Sequence, residues 1–146
     1  PGCYCAANNM LRVAIDKIGE NYDYVIIDCE AGMEHVSRQT TRDIDILLLV
    51  SDSSVNGLIT ASHMKDLIGE LRTNVDRIGL VLNRVKSELL PEGQQIIDKA
   101  GLDLIETIPD DPNMAEVDGR GLPLSQLPKD SPLYKGVLSI VTKLAL

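Results

Sequence analysis

The stretch Tyr22-Asp23-Tyr24-Val25-Ile26-Ile27-Asp28-Cys29-Glu30-Ala31-Gly32 decides how this chain is read. Four consecutive β-favouring apolar residues, Tyr24 to Ile27, predict a strand covered on both faces, because a half-exposed strand alternates apolar with polar. The run stops at an acid, Asp28, with Glu30 and Gly32 two and four residues further on. Three later runs share its character: Ile46 to Val50, Ile78 to Leu82, and Leu104 to Ile108.

Between these runs the apolar spacing is helical. Met10/Leu11, Ala14/Ile15 and Ile18 form one stripe, closed by Gly19. Leu58, Ala61, Met64, Leu67/Ile68 and Leu71 form the longest, with Ser53 or Ser54 available as N-cap. Ile96, Ile97 and Ala100 precede Gly101, placed as a C-cap glycine. A short helix is expected near Met114 to Val117, and Ser131 with Pro132 behind it opens a final helix. Strand alternating with helix predicts a doubly wound α/β domain: a mainly parallel sheet with helices on both faces.

The 146 residues suffice for one domain with one substantial core, and no linker or internal repeat divides them. A net charge of −8 argues against a nucleic-acid partner, which a basic surface would serve. No apolar run is long enough for membrane insertion, and three cysteines without a secretory signal point to a reducing, cytoplasmic setting. Leu133, Val137, Ile140/Val141 and Leu144 give the last helix an apolar stripe. Its two lysines are few for membrane binding, so docking on the sheet is expected. The first residue is Pro1, which suggests a fragment or a processed chain.

The residues that follow the four runs are polar: Asp28, Ser51-Asp52, Asn83 and Pro109-Asp110. In a parallel sheet all four lie along the carboxyl edge, where open α/β sheets bind ligands. An Asp at a strand end can hold Mg²⁺ through water, and Gly32 would let a backbone N–H approach a terminal phosphate. The form is that of a Walker B strand with its switch II loop. An acidic loop entering a helix is the alternative. Glu30 is placed as a general base or beside the magnesium. Arg84, next to Asn83, either covers a bound base or caps its strand.

Cys3 and Cys5 stand one residue apart before the first helix, where dipole and free N–H groups favour thiolates. A disulfide between them is poor geometry, with Cα atoms about 7 Å apart in an extended chain. Two thiolates are half of a tetrahedral site, and a twofold dimer would supply four. Soft thiolates suit Zn²⁺, Ni²⁺ or Cu(I), and tetrahedral four-sulfur geometry suits zinc better than nickel. The alternative is two small residues packed near a chain end. Cys29 is expected in the core, and His35 and His63 on the surface.

Together, "YDYVIIDCEAG", "DILLLVSDSSVNGLITA", "GLVLNRV" and "IPDDPNMAEVDGRGLPL" resemble the deviant Walker ATPases that include MinD, ParA and the nitrogenase iron protein. With "GCYC" ahead of them, the likeness is strongest to the CooC-type nickel-insertion ATPases of carbon monoxide dehydrogenase maturation. The resemblance covers essentially residues 1–146, read as the C-terminal portion of one P-loop NTPase domain. It implies ATP or ADP with Mg²⁺ as ligands. Asp28 would assist the magnesium, Gly32 would sense the γ-phosphate, Asn83 would bond the adenine edge, and Pro109 and Asp110 would flank the base. Cys3 and Cys5 match a C-x-C metal pair, with a homodimer and carbon monoxide dehydrogenase as partners.

The family's glycine-rich phosphate loop has no counterpart among the 11 glycines. The chain alone is therefore expected to be inactive, while the intact protein would be an ATP hydrolase. Loss of the phosphate-loop strand would also expose a sheet edge and invite self-association or swapping. A regulatory or positioning ATPase of the MinD/ParA type, without a metal role, is the second reading. A phosphoacceptor receiver domain built on Asp28 is the third, weakened because Asn83 and Pro109 stand where it needs a lysine.

Overall fold

The computed structural model describes residues 5–29, 43–71 and 74–146. Three strands carry the domain: β1 (Asp43–Ser51), β2 (Asn74–Val85) and β3 (Asp103–Pro109), all parallel, in the order β1-β2-β3. Helix α1 (Cys5–Gly19) precedes them. Helix α2 (Val55–Glu70) joins β1 to β2, and α3 (Pro91–Ala100) joins β2 to β3. The short α4 (Pro112–Gly119), a 3₁₀ turn (Leu124–Gln126) and α5 (Pro132–Leu144) follow.

Continuous apolar runs become strands here because both faces are covered. On one face, Leu47, Leu49, Leu80 and Leu82 pack with Leu58, Ala61 and Ile68 of α2 and Ile97 of α3. On the other, Ile46, Leu48, Val81, Ile105 and Ile108 pack with Leu133, Ile140 and Leu144 of α5. The α/β architecture with a parallel sheet and helices on both faces is as expected, and the last helix docks on the sheet.

The helix boundaries follow the capping chemistry. Ser54 caps α2 by accepting from the Gly57 N–H, and Ser131 caps α5 by accepting from the Tyr134 N–H. Gly101 ends α3 in the left-handed conformation at φ 59°, which costs glycine nothing.

One expectation is corrected. Tyr24 to Ile27 is not paired as a strand, and all four side chains are exposed, Ile26 by 94%. A strand needs a neighbour for its backbone groups, and none of the described strands lies beside this run. Met10, Leu11, Val13 and Ile18 of α1 are exposed as well, so among the described residues most of the predicted stripe covers no core. Cys29, expected in the core, is exposed because it follows this unpaired run. Desolvation, then the charge of adjacent Asp28, pushes its thiol pKa up.

Two glycines in helices test the packing in opposite directions. A Cβ on Gly136 would meet Ile108 Cγ1 at 2.7 Å, whereas nothing lies within 4 Å of one on Gly69. Gly136→Ala is expected to lower the unfolding free energy by about 1–3 kcal/mol. Gly69→Ala is expected to raise it by about 0.5–1 kcal/mol, and urea denaturation reads both changes.

Candidate functional site

The register brings three of the four polar endings to one edge. Ser51 pairs with Leu82 and Val85 with Pro109, so Asp52, Asn83-Arg84 and Pro109-Asp110 succeed one another along the carboxyl ends. The Asp110 N–H donates to the Val85 carbonyl at 3.0 Å, carrying the pairing one residue past β3.

Asn83 and Arg84 sit at an irregularity of the ladder. Between Leu82↔Thr107 and Val85↔Pro109, β2 spends three steps where β3 spends two, which makes a β-bulge. Arg84 absorbs the extra residue with φ 55°, a left-handed backbone that costs a non-glycine residue about 1–2 kcal/mol. Its N–H donates to Asn83 Oδ1 at 2.9 Å. The half-buried Asn83 amide is thereby turned, and its Nδ2 protons have no acceptor among the described residues. Strain of this kind persists only where the surrounding structure holds it, here the pairing of Val85 with Pro109 just beyond.

Beside it, Asp52 closes the turn from β1 into α2. Its carboxylate accepts from the Ser54 N–H at 3.0 Å and from Ser54 Oγ at 2.6 Å. The Ser54 hydroxyl, then its N–H, with a smaller contribution from the Arg84 charge, holds the Asp52 carboxyl below the usual range. Gly57 permits this fold-over: a Cβ there would lie 2.5 Å from Asp52 Oδ1 and 2.6 Å from Ser51 Oγ.

On the third strand end the decisive residue is one that the sequence reading passed over. Asp111 is 6% exposed and caps α4. Its Oδ1 accepts from the Asn113 N–H and Nδ2, each at 2.9 Å, and its Oδ2 from the Leu133 N–H at 3.0 Å. Burial pushes its carboxyl up, but the bonds from Leu133, Asn113 and Ser131 outweigh that and hold it below the usual range. Asp111 thus ties the Pro109-Asp110 corner to α4 and to the start of α5. The signal was present: an Asp followed by Pro112 at the first helical position is an N-cap pattern.

The remaining predicted residues are not brought to this edge. Asp28 is exposed and follows the unpaired run, so the structure does not join it to Asn83 and Asp110. Cys3, Glu30, Gly32 and His35 lie outside the described residues, as does the side chain of Cys5, which opens α1. His63 is exposed on α2, as expected. Among the described residues no group of three or more His, Cys, Asp or Glu is placed to hold a metal ion. No described helix is long and apolar enough to cross a membrane.

Set against known proteins, the chain is 42% identical over 147 residues to an uncharacterized ATP-binding protein of Methanocaldococcus jannaschii, covering 98% of this chain and 56% of that protein. It is 30% identical over 123 residues to the carbon monoxide dehydrogenase accessory protein CooC of Rhodospirillum rubrum, covering 83% of this chain and 45% of that one. A ParA family ATPase from Chlorobium tepidum superposes with TM-score 0.77 at 26% identity, over 95% of this chain and 56% of that chain. In sequence and fold the chain is similar to ATPases of the MinD/ParA superfamily. The fold is also that of MinD from Pyrococcus horikoshii, solved with Mg-ADP: TM-score 0.72 at 19% identity, over 94% of this chain and 56% of that one. No family model matches. The chain thus spans about half the length of the relatives it matches.

The low Asp111 pKa has a signed consequence. A depressed carboxyl stabilises the fold above its unfolded pKa, about 3.9, and that contribution is lost as pH falls through the folded value. Asp111→Asn keeps a cap but removes the charge. Its deficit in unfolding free energy is expected to be full at pH 6 and to shrink steadily below about pH 4. Asp111→Ala, which also loses the cap, is expected to cost about 2 kcal/mol at pH 7 by urea titration.

Proposed function

We propose that this chain carries the base-recognition side of an ATP-driven switch of the MinD/ParA type. The supporting observation is the bulge that turns Asn83 and Arg84 out beside Pro109 and Asp110 at the carboxyl edge. With Oδ1 engaged by the Arg84 N–H, Asn83 offers its Nδ2 protons to an acceptor, such as a ring nitrogen of a purine. Pro109 and Asp110 flank the base, and exposed Arg84 lies over it. The edge therefore fits an adenine nucleotide at its base end.

The phosphate end rests on other residues. Asp28 holds Mg²⁺ through water in this reading, with Glu30 beside it and Gly32 giving its N–H to the γ-phosphate. Hydrolysis belongs to a longer polypeptide that also supplies a phosphate loop. ATP binding then closes a homodimer in the cytoplasm and hydrolysis reopens it, the logic of a γ-phosphate switch.

The output is assigned to metal transfer. Cys3 and Cys5 from two subunits make a four-thiolate site for Ni²⁺ or Zn²⁺, and the nickel enzyme carbon monoxide dehydrogenase is the client. The likeness to CooC and the C-x-C pair support this. A positioning or regulatory ATPase acting through protein partners, with no metal, is the second reading. The ParA and MinD likenesses support it at least as well.

Two measurements on the longer protein separate these readings. Asn83→Ala is expected to raise KM for ATP about tenfold with kcat little changed, and Asp28→Asn to lower kcat at least about 100-fold. Unchanged kinetics in both variants would refute the nucleotide assignment. Elemental analysis should then find about one metal per dimer, lost in Cys3→Ser/Cys5→Ser; a metal-free wild type would favour the second reading.

A further inference from the structure

The corner that ends β3 is poor in backbone donors. Pro109 and Pro112 have no N–H, so from 109 to 112 only Asp110 and Asp111 can donate. The Asp110 N–H carries the last bond to the sheet, donating to the Val85 carbonyl at 3.0 Å. Beyond it the chain turns into α4, and the next tie is a side chain, the carboxylate of Asp111.

That carboxylate serves two helices at once. Oδ1 caps α4, accepting from the Asn113 N–H and Nδ2, each at 2.9 Å. Oδ2 accepts from the Leu133 N–H at 3.0 Å, a first-turn donor of α5 that no helical carbonyl can reach. Ser131, fully buried, adds its hydroxyl.

Helix α5 is itself a fixed reference. Ile140 and Leu144 are buried with Val81, Ile105 and Ile108, and Gly136 leaves no room for a Cβ beside Ile108. Lys143 Nζ donates to the Ile105 carbonyl at 2.8 Å and pairs with Glu106 Oε2 at 3.0 Å. The Pro109-Asp110 corner is thus bracketed: Val85 of β2 holds it on one side and, through Asp111, the start of α5 holds it on the other. Asp111 is buried and both its oxygens are occupied, so it has nothing left to offer a ligand.

We infer that Asp111 is the positioning residue of this rim: it sets how tightly and how selectively a purine nucleotide is held, acting through Pro109 and Asp110 without touching the ligand. The inference rests on the assignment of Asn83, Pro109 and Asp110 to the base end. A corner that must be ordered on binding costs affinity, and one already held in place does not. Because the tie runs through the residues that flank the base, its loss falls on base recognition.

Amide chemical-shift titration of this chain with adenosine monophosphate, and separately with uridine monophosphate, tests it. Asp111→Asn is the informative variant. It keeps an oxygen to cap α4 but turns an NH₂ group toward the Leu133 N–H, so the tie to α5 is lost while the helix remains. Its Kd for adenosine monophosphate, read at the Asn83 and Asp110 amides, is expected to rise about tenfold, with that for uridine monophosphate changed less than about twofold. Ile97→Val, which loosens the core on the opposite face of the sheet, is expected to bind both nucleotides as the wild type does. Equal weakening of both nucleotides in Asp111→Asn would overturn the inference, as would an equal loss of adenosine binding in Ile97→Val. Asn83→Ala separates it from the assignment beneath. If Asn83→Ala weakens adenosine binding and Asp111→Asn does not, the positioning role alone falls; if neither variant does, the base-end assignment falls with it.

Discussion

Everything in this molecule hangs on β2 as the shared partner of two parallel ladders. Leu80 and Leu82 are fully buried against α2 and α3, while Val81 between them is buried against α5. A slip of one residue would exchange the two faces, so packing on both sides locks the register. Once the register is locked, so are the positions of Ser51, Val85 and Pro109, because parallel strands end on the same edge. The site is thus a by-product of the core. Its side chains need no enclosing pocket to be held in place; the ladder holds their backbones.

Of the two irregularities in the β2–β3 ladder, the one between Leu82 and Val85 falls at the strand end, beyond the buried core. The extra residue at Asn83-Arg84 forces a left-handed Arg84, and the bond from its N–H fixes the Asn83 amide. Such a conformation survives because Val85 is paired to Pro109 just beyond it. Asp52 and Asp111 play the corresponding part at the other two strand ends. Each is a carboxylate held charged by N–H and hydroxyl donors, and each stiffens a turn, Asp52 at the surface and Asp111 in the interior.

Much of this was legible in the amino-acid sequence. Ile46 to Val50, Ile78 to Leu82 and Leu104 to Ile108 are strands because their composition demands cover on both faces, and the helices supply it. Ser54, Gly101 and Ser131 act as the caps their chemistry suggests. Tyr24 to Ile27 shows where such reading stops. Apolar β-branched composition states that a segment needs a partner; it does not state that one is present. Pairing is non-local, and so the fate of Cys29 and Asp28, one and two residues beyond Ile27, could not be read locally either. The bulge was equally hidden, since it is a property of two strands and not of "LNRV" alone. Asp111 was legible as well, since an Asp directly before a Pro at the first helical position is an N-cap pattern.

The central claim is that the ends of β1, β2 and β3 form one adenine-facing rim. Backbone amide chemical-shift mapping of this chain with millimolar adenosine nucleotide tests it most directly. The account predicts shifts confined to Asp52, Asn83, Arg84 and Asp110, larger with adenosine than with uridine nucleotides. Shifts scattered over α1 and α3, or none at these four amides, would contradict it.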